Sequence, residues 1–192
     1  MKEISLLSKE HNMFIALGLI SFEDGCTYNS VQLINPETTH YKSYNKRALW
    51  GWDIDSFTQG NDIGIYSIDG IKIGIRICYE VRFPEYFREL FRNHVDLCLI
   101  SFTDVGKQEQ NGKFNLIQSH LESRAAENIM YVLSANSISQ YQLPPTCLIN
   151  PNGLILEVAP INKESLITRE IEILPHDFGQ EGRITCSKIL QK

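Results

Sequence analysis

The apolar residues fall in runs whose period changes along the chain. Residues 3–11 read as a short helix, and residues 13–22 are mostly apolar and read as a buried strand. Asp24-Gly25 is a turn signal, residues 28–34 form a second strand, and Asn35-Pro36-Glu37 closes it, so the pair predicts a hairpin. Residues 63–68 and 71–77 are two more strands, joined at Asp69-Gly70. In the second, Ile71, Ile73, Ile75 and Ile77 alternate with Lys72, Gly74 and Arg76, which predicts one buried face. After Cys78 the period becomes helical: Pro84 suits a first helical turn, and Tyr86, Phe87, Leu90 and Phe91 share a face. Residues 95–102 predict a strand, 113–128 a helix with Phe114, Ile117, Leu121 and Ala125 in one stripe, and 130–135 a strand. Residues 147–149 and 154–158 flank the turn Asn150-Pro151-Asn152-Gly153, and 165–173 read as a last strand. Residues 39–61, polar and aromatic with weak periodicity, read as a long loop. Strands alternate with helices in the middle and hairpins flank them, which predicts an α/β layered fold with a mixed sheet. With no repeat, low-complexity tract or linker, residues 1–192 read as one domain.

Composition narrows the function. At 192 residues, 43% hydrophobic and 21% charged, the chain can bury a real core. A net charge of -5 and the lack of any Lys/Arg run exclude a nucleic-acid-binding surface. No apolar run reaches the roughly 18 residues of a membrane span. The N-terminal residues lack a signal-peptide pattern, so the expectation is a cytoplasmic protein. The five cysteines are odd in number and widely spaced, without Cys-x-x-Cys, which argues against a disulfide framework or a zinc site. No metal or organic cofactor is expected. Most of the cysteines should be inert, buried small hydrophobes.

Cys78 differs by position, at the point where a buried strand ends and a helix is about to begin. A tight strand-to-helix turn lifts a side chain out of the sheet and surrounds it with backbone N–H groups that can bind an oxyanion. A lone cysteine in such a place is more often structural, and its neighbours change that balance. The string Gly74-Ile75-Arg76-Ile77-Cys78-Tyr79-Glu80-Val81-Arg82-Phe83-Pro84-Glu85 closely resembles the nucleophile segment of the nitrilase superfamily. Upstream, Tyr44-Asn45-Lys46-Arg47-Ala48-Leu49-Trp50 resembles that family's Tyr-x-Lys-x-x-Leu-aromatic segment, whose lysine is catalytic. Asp53 stands where many members have an auxiliary glutamate, and Phe57 and Gly60 fit the next positions. Arg124-Ala125-Ala126-Glu127-Asn128, with Tyr131, Val132 and Asn136, resembles a helix end and following strand that read as structural; Thr146 stands where a serine is usual. The likeness runs from about Leu6 to about Gly182. It implies an α-β-β-α sandwich, a Glu-Lys-Cys triad, a small-molecule amide substrate and a homo-oligomer. It also adds Glu80, Arg82 and Phe102 as substrate-pocket candidates.

These residue types suit amide hydrolysis. A free thiol near its reference pKa of about 8.5 is only a few per cent thiolate at neutral pH, and a cation such as Lys46 raises that share. Lys46 and the backbone N–H of Tyr79 can together hold the oxygen of a tetrahedral intermediate. A carboxylate must still move the proton from the thiol to the leaving nitrogen. By the family's register its glutamate would lie before Met1, so the fold is expected to lack its first strand-helix-strand portion. Glu3 and Glu10 fall on the first helix, and Glu23 and Glu37 in turns. Arg76 shares a strand face with the approach to Cys78 and reads as a solvated arginine in preference to one that lowers the thiol pKa, and His94 and His120 read as surface or core residues rather than partners of a Cys-His pair. Two functions remain: an amidase-type carbon–nitrogen hydrolase working through a cysteine thioester, or a catalytically inactive fragment or partner-binding subunit of the same fold.

Overall fold

The computed structural model describes residues 1–38, 41–108 and 112–190. After helix α1 (Lys2–Glu10), strands β1 (Ile15–Glu23) and β2 (Cys26–Ile34) form the predicted hairpin, paired from Ile15↔Ile34 to Glu23↔Cys26. Asp24 and Gly25 turn it with φ of 49° and 79°, the left-handed pair that matches the twist of the strands. The first correction lies in the expected loop. Its residues 39 and 40 lie outside the described residues, but Tyr41–Asn45 is a strand, β3, paired antiparallel with β2. This segment is too polar to show a strand period; it is a strand because β2 offers it an edge. Asp53–Ser56 adds one helical turn, α2.

The larger sheet has the order β11-β10-β8-β6-β5-β4. Its centre is parallel: β5 (Ile71–Ile77), β6 (Leu97–Phe102) and β8 (Tyr131–Asn136). Antiparallel hairpins close both sides, β4 (Ile65–Ile68) on β5 and β11 (Ile155–Val158) on β10 (Cys147–Ile149). A small ribbon joins β7 (Val105–Gly106) to β9 (Tyr141–Gln142). Helices α3 (Pro84–Arg92) and α4 (Lys113–Asn128) pack on the large sheet, burying Phe87, Leu90, Ile117 and Leu121 against Cys98, Ile100 and Phe102. Each such side chain contributes about 1.5–3 kcal/mol. A second core lies between the sheets, where Val31, Leu33 and Tyr44 meet Tyr66, Ile75 and Ile77.

Two further expectations fail. Residues 165–173 form no strand; their side chains are mostly exposed, with Leu166 at 85%. Alternation there finds no sheet edge to join, and the chain instead ends in an unforeseen helix, α5 (Phe178–Leu190). β5 is buried on both faces from Gly74 to Ile77, as a central strand between the second sheet and α3 must be. Arg76 is accordingly not solvated. It is fully buried and donates to the carbonyls of Tyr86, Ile63 (2.9 Å) and Ile75 (2.7 Å), with Glu89 at 3.5 Å.

Candidate active site

β5 ends at Ile77, and Cys78 takes a φ of 46° as the first residue of a 3-10 turn, Cys78–Arg82. A left-handed backbone costs a residue with a side chain about 1–2 kcal/mol, so the surroundings must hold it. Glu80 supplies one restraint. Its carboxylate is fully buried: Oε2 accepts the Ile77 N–H at 2.7 Å, and Oε1 accepts Tyr44 Oη at 2.8 Å and the N–H groups of Arg47 at 2.7 Å and Ala48 at 3.3 Å. Burial and this carboxylate together push the Tyr44 hydroxyl pKa far up, so it remains a donor. Arg124 supplies the second restraint, donating to the carbonyls of Val81 (3.0 Å) and Arg82 (3.3 Å) while pairing with Glu127 at 2.7 Å. Glu80 thus faces backbone, not the cavity. It ties the turn bearing Cys78 to the segment bearing Lys46.

Lys46 follows β3 directly. Its N–H donates to the Asn29 carbonyl at 2.8 Å, and its own carbonyl accepts the Gly60 N–H at 2.9 Å. A Cβ on Gly60 would stand 2.0 Å from the Asn45 carbonyl oxygen, so only glycine lets the chain pass here. The Lys46 ammonium pairs with Asp53, the first residue of α2; their side chains are 5% and 6% exposed.

Cys78, Lys46, Asp53 and Tyr79 line one cavity of about 600 Å³, walled by Gly18, Leu19 and Ile20 of β1 and by Trp50 and Trp52. A neighbouring lobe of about 310 Å³ shares Cys78, Tyr79 and Trp50 and adds Arg82 and Phe102. Of the pocket candidates, Arg82 and Phe102 therefore reach the cavity and Glu80 does not. Trp50 is 66% exposed and stacks on Tyr79, with centroids 6.1 Å apart and planes at 18°.

Sequence reasoning missed Asp104 and Lys113, which line both lobes beside Cys78. Asp104 follows the C-terminal end of β6, the parallel neighbour of the strand that delivers Cys78. Crevices at such strand ends are where open α/β sheets bind ligands, and that signal could have found it. Asn136 holds its backbone: Oδ1 accepts the Asp104 N–H at 3.1 Å and Nδ2 donates to the Asp104 carbonyl at 3.0 Å. The Asp104 side chain pairs with Lys113, the first residue of α4, at 2.8 Å.

Burial pushes the Cys78 thiol up to about 11. Lys46 and Lys113 pull it down, and Asp104 and Asp53 push it up. The lysine acts in the expected direction, but desolvation outweighs it because the thiolate has little water here. At neutral pH this favours the neutral thiol over the thiolate.

Residues 1–173 match the model of the carbon-nitrogen hydrolases. The chain belongs to the carbon-nitrogen hydrolase family. This family member is 30% identical over 153 residues to the deaminated glutathione amidase of Synechocystis sp. PCC 6803, covering 71% of the chain and 55% of that protein. Against the 2-oxoglutaramate amidase of Bacillus subtilis it is 24% identical over 173 residues, covering 86% and 64%. A hydrolase of Pseudomonas protegens is 29% identical over 151 residues, 75% of the chain and 51% of that protein. The carbon-nitrogen hydrolase chain thus spans about half to two-thirds of the length of these relatives. Among solved structures, a CN-hydrolase superfamily protein of Xanthomonas campestris with an arsenic adduct in its active site superposes with a TM-score of 0.78 at 18% identity, covering 98% of this chain and 72% of that one. Nit3 of Saccharomyces cerevisiae, a nitrilase-superfamily member, gives 0.73 at 18% identity, covering 85% and 61%. The mixed α/β fold read from the sequence pattern is therefore the fold of that superfamily, as the resemblance implied.

Proposed function

We propose that this carbon-nitrogen hydrolase cleaves small linear amides through a thioester on Cys78. The observation that carries the reading is the meeting, in one cavity, of a cysteine on a left-handed strand-to-helix turn with the buried Lys46 ammonium. Sγ attacks the amide carbon, and its oxygen becomes an oxyanion facing Lys46 and the Tyr79 N–H. Loss of one such donor typically costs about 3–4 kcal/mol of barrier. The thiol proton passes by way of a carboxylate to the nitrogen, and ammonia or an amine leaves. Water then opens the thioester, giving the carboxylic acid and restoring the thiol. The amidase names of two relatives favour amides over nitriles.

One observation favours a second reading, a non-catalytic chain or one that takes its carboxylate from elsewhere. Among the described residues the cavity wall holds no glutamate, and both of its aspartates are paired with lysines. Ammonia release from short aliphatic amides, with the intact mass after acid quench, separates the two. The hydrolase reading expects release and an acyl adduct, both lost in Cys78→Ala. A Cys78 that alkylates specifically without any turnover favours the second.

A further inference from the structure

Two Lys–Asp pairs line the cavity with Cys78, and the one formed by Lys113 and Asp104 is open enough to exchange partners. Lys46 and Asp53 are sealed at 5% and 6% side-chain exposure, whereas Lys113 and Asp104 are 27% and 22% exposed. The open pair lies where both lobes meet beside the thiol. Its aspartate is fixed, since Asn136 clamps the Asp104 backbone from both sides and Leu143 N–H donates to the same carbonyl at 3.1 Å. Its lysine has a flexible four-carbon stem. Lys113 bonds Oδ1, and among the described residues no hydrogen bond reaches Oδ2.

From this geometry we infer that Asp104 and Lys113 form the specificity site, and that it selects a zwitterionic substrate: an α-amino acid whose side chain ends in the scissile amide. The inference rests on the reading that this cavity is the amide site. A ligand bearing only a carboxylate can draw Lys113 away, but it leaves the Asp104 carboxylate unpaired beside another negative charge. A ligand bearing only an ammonium strands Lys113 in the same way. A zwitterion gives each member a new partner, and a partly exposed ion pair costs little to open. Charge-assisted hydrogen bonds to the ligand are worth more than the pair they replace.

The test is titration calorimetry on the full chain carrying Cys78→Ser, which binds without turnover. The probes are L-glutamine, glutaramate (glutamine without its ammonium) and 4-aminobutanamide (glutamine without its carboxylate). Glutamine is expected to bind more tightly than either by about tenfold or more. Asp104→Asn should bring glutamine down to the level of glutaramate without weakening glutaramate. Lys113→Met should bring it down to that of 4-aminobutanamide. Glutaramate binding as tightly as glutamine, a preference that survives Asp104→Asn, or no binding of any probe overturns the inference. Ammonia release by the Cys78 protein is scored separately, so a chain that binds glutamine selectively but never releases ammonia refutes the hydrolase reading alone.

Discussion

Lys46–Asp53 and Lys113–Asp104 are the same two residue types lining one cavity, and burial divides them. The first pair was taken out of water when the sheets closed, so neither member can be released without stranding a charge. It can hold an oxyanion but cannot rearrange. The second is more than one-fifth exposed on both sides, weak as a structural tie and available to a ligand. Charge alone would have assigned them one role. Desolvation fixes one pair and leaves the other open to exchange.

That contrast can be broken by substitutions. The largest loss is expected at Glu80, which underpins the fixed wall: Glu80→Ala leaves its buried donors unmet and should cost at least about 4 kcal/mol in urea unfolding. Lys46→Met leaves Asp53 buried and unpaired, for a loss of about 3–5 kcal/mol by the same measurement. Gly60→Ala forces the chain off the Asn45 carbonyl and should cost about 1–3 kcal/mol. Alkylation of Cys78 by iodoacetamide, followed by peptide mass, should accelerate about tenfold per pH unit with no plateau below about 11, because the thiolate reacts and burial holds the thiol protonated. Lys46→Met should move that profile further up in pH than Lys113→Met does, since the Lys46 charge acts more strongly on the thiol. The smallest effect is on stability in Lys113→Met, within about 1 kcal/mol. Equal losses from the two lysine variants would show that the walls are not different in kind.

What the sequence made legible follows the same division. The strand delivering Cys78, the helices behind it and the flanking hairpins were readable because local period and turn residues set them. The segment around Lys46 was readable as a motif but not as a strand: Tyr41–Asn45 is held by β2, a partner no local pattern reveals. Arg76 and Glu80 were misplaced for one reason. Each is charged and fully buried, satisfied by carbonyls or N–H groups that come from other parts of the chain. Asp104 and Lys113, nine positions apart, meet only because a strand end and a helix start converge.

The left-handed turn at Cys78 also restricts the protein's ancestry and its future. At a φ of 46°, a side chain branched at Cβ crowds its own backbone. Threonine, a nucleophile in some hydrolases, is therefore disfavoured at this position, as are valine and isoleucine, although Ile129 bears a φ of 53° where α4 ends. Serine, asparagine, alanine and glycine remain open. Substitution of Cys78 by serine or alanine should therefore leave the fold undisturbed. A relative that keeps this turn should then keep Glu80 and Arg124, and vary first at Cys78, the residue that opens it.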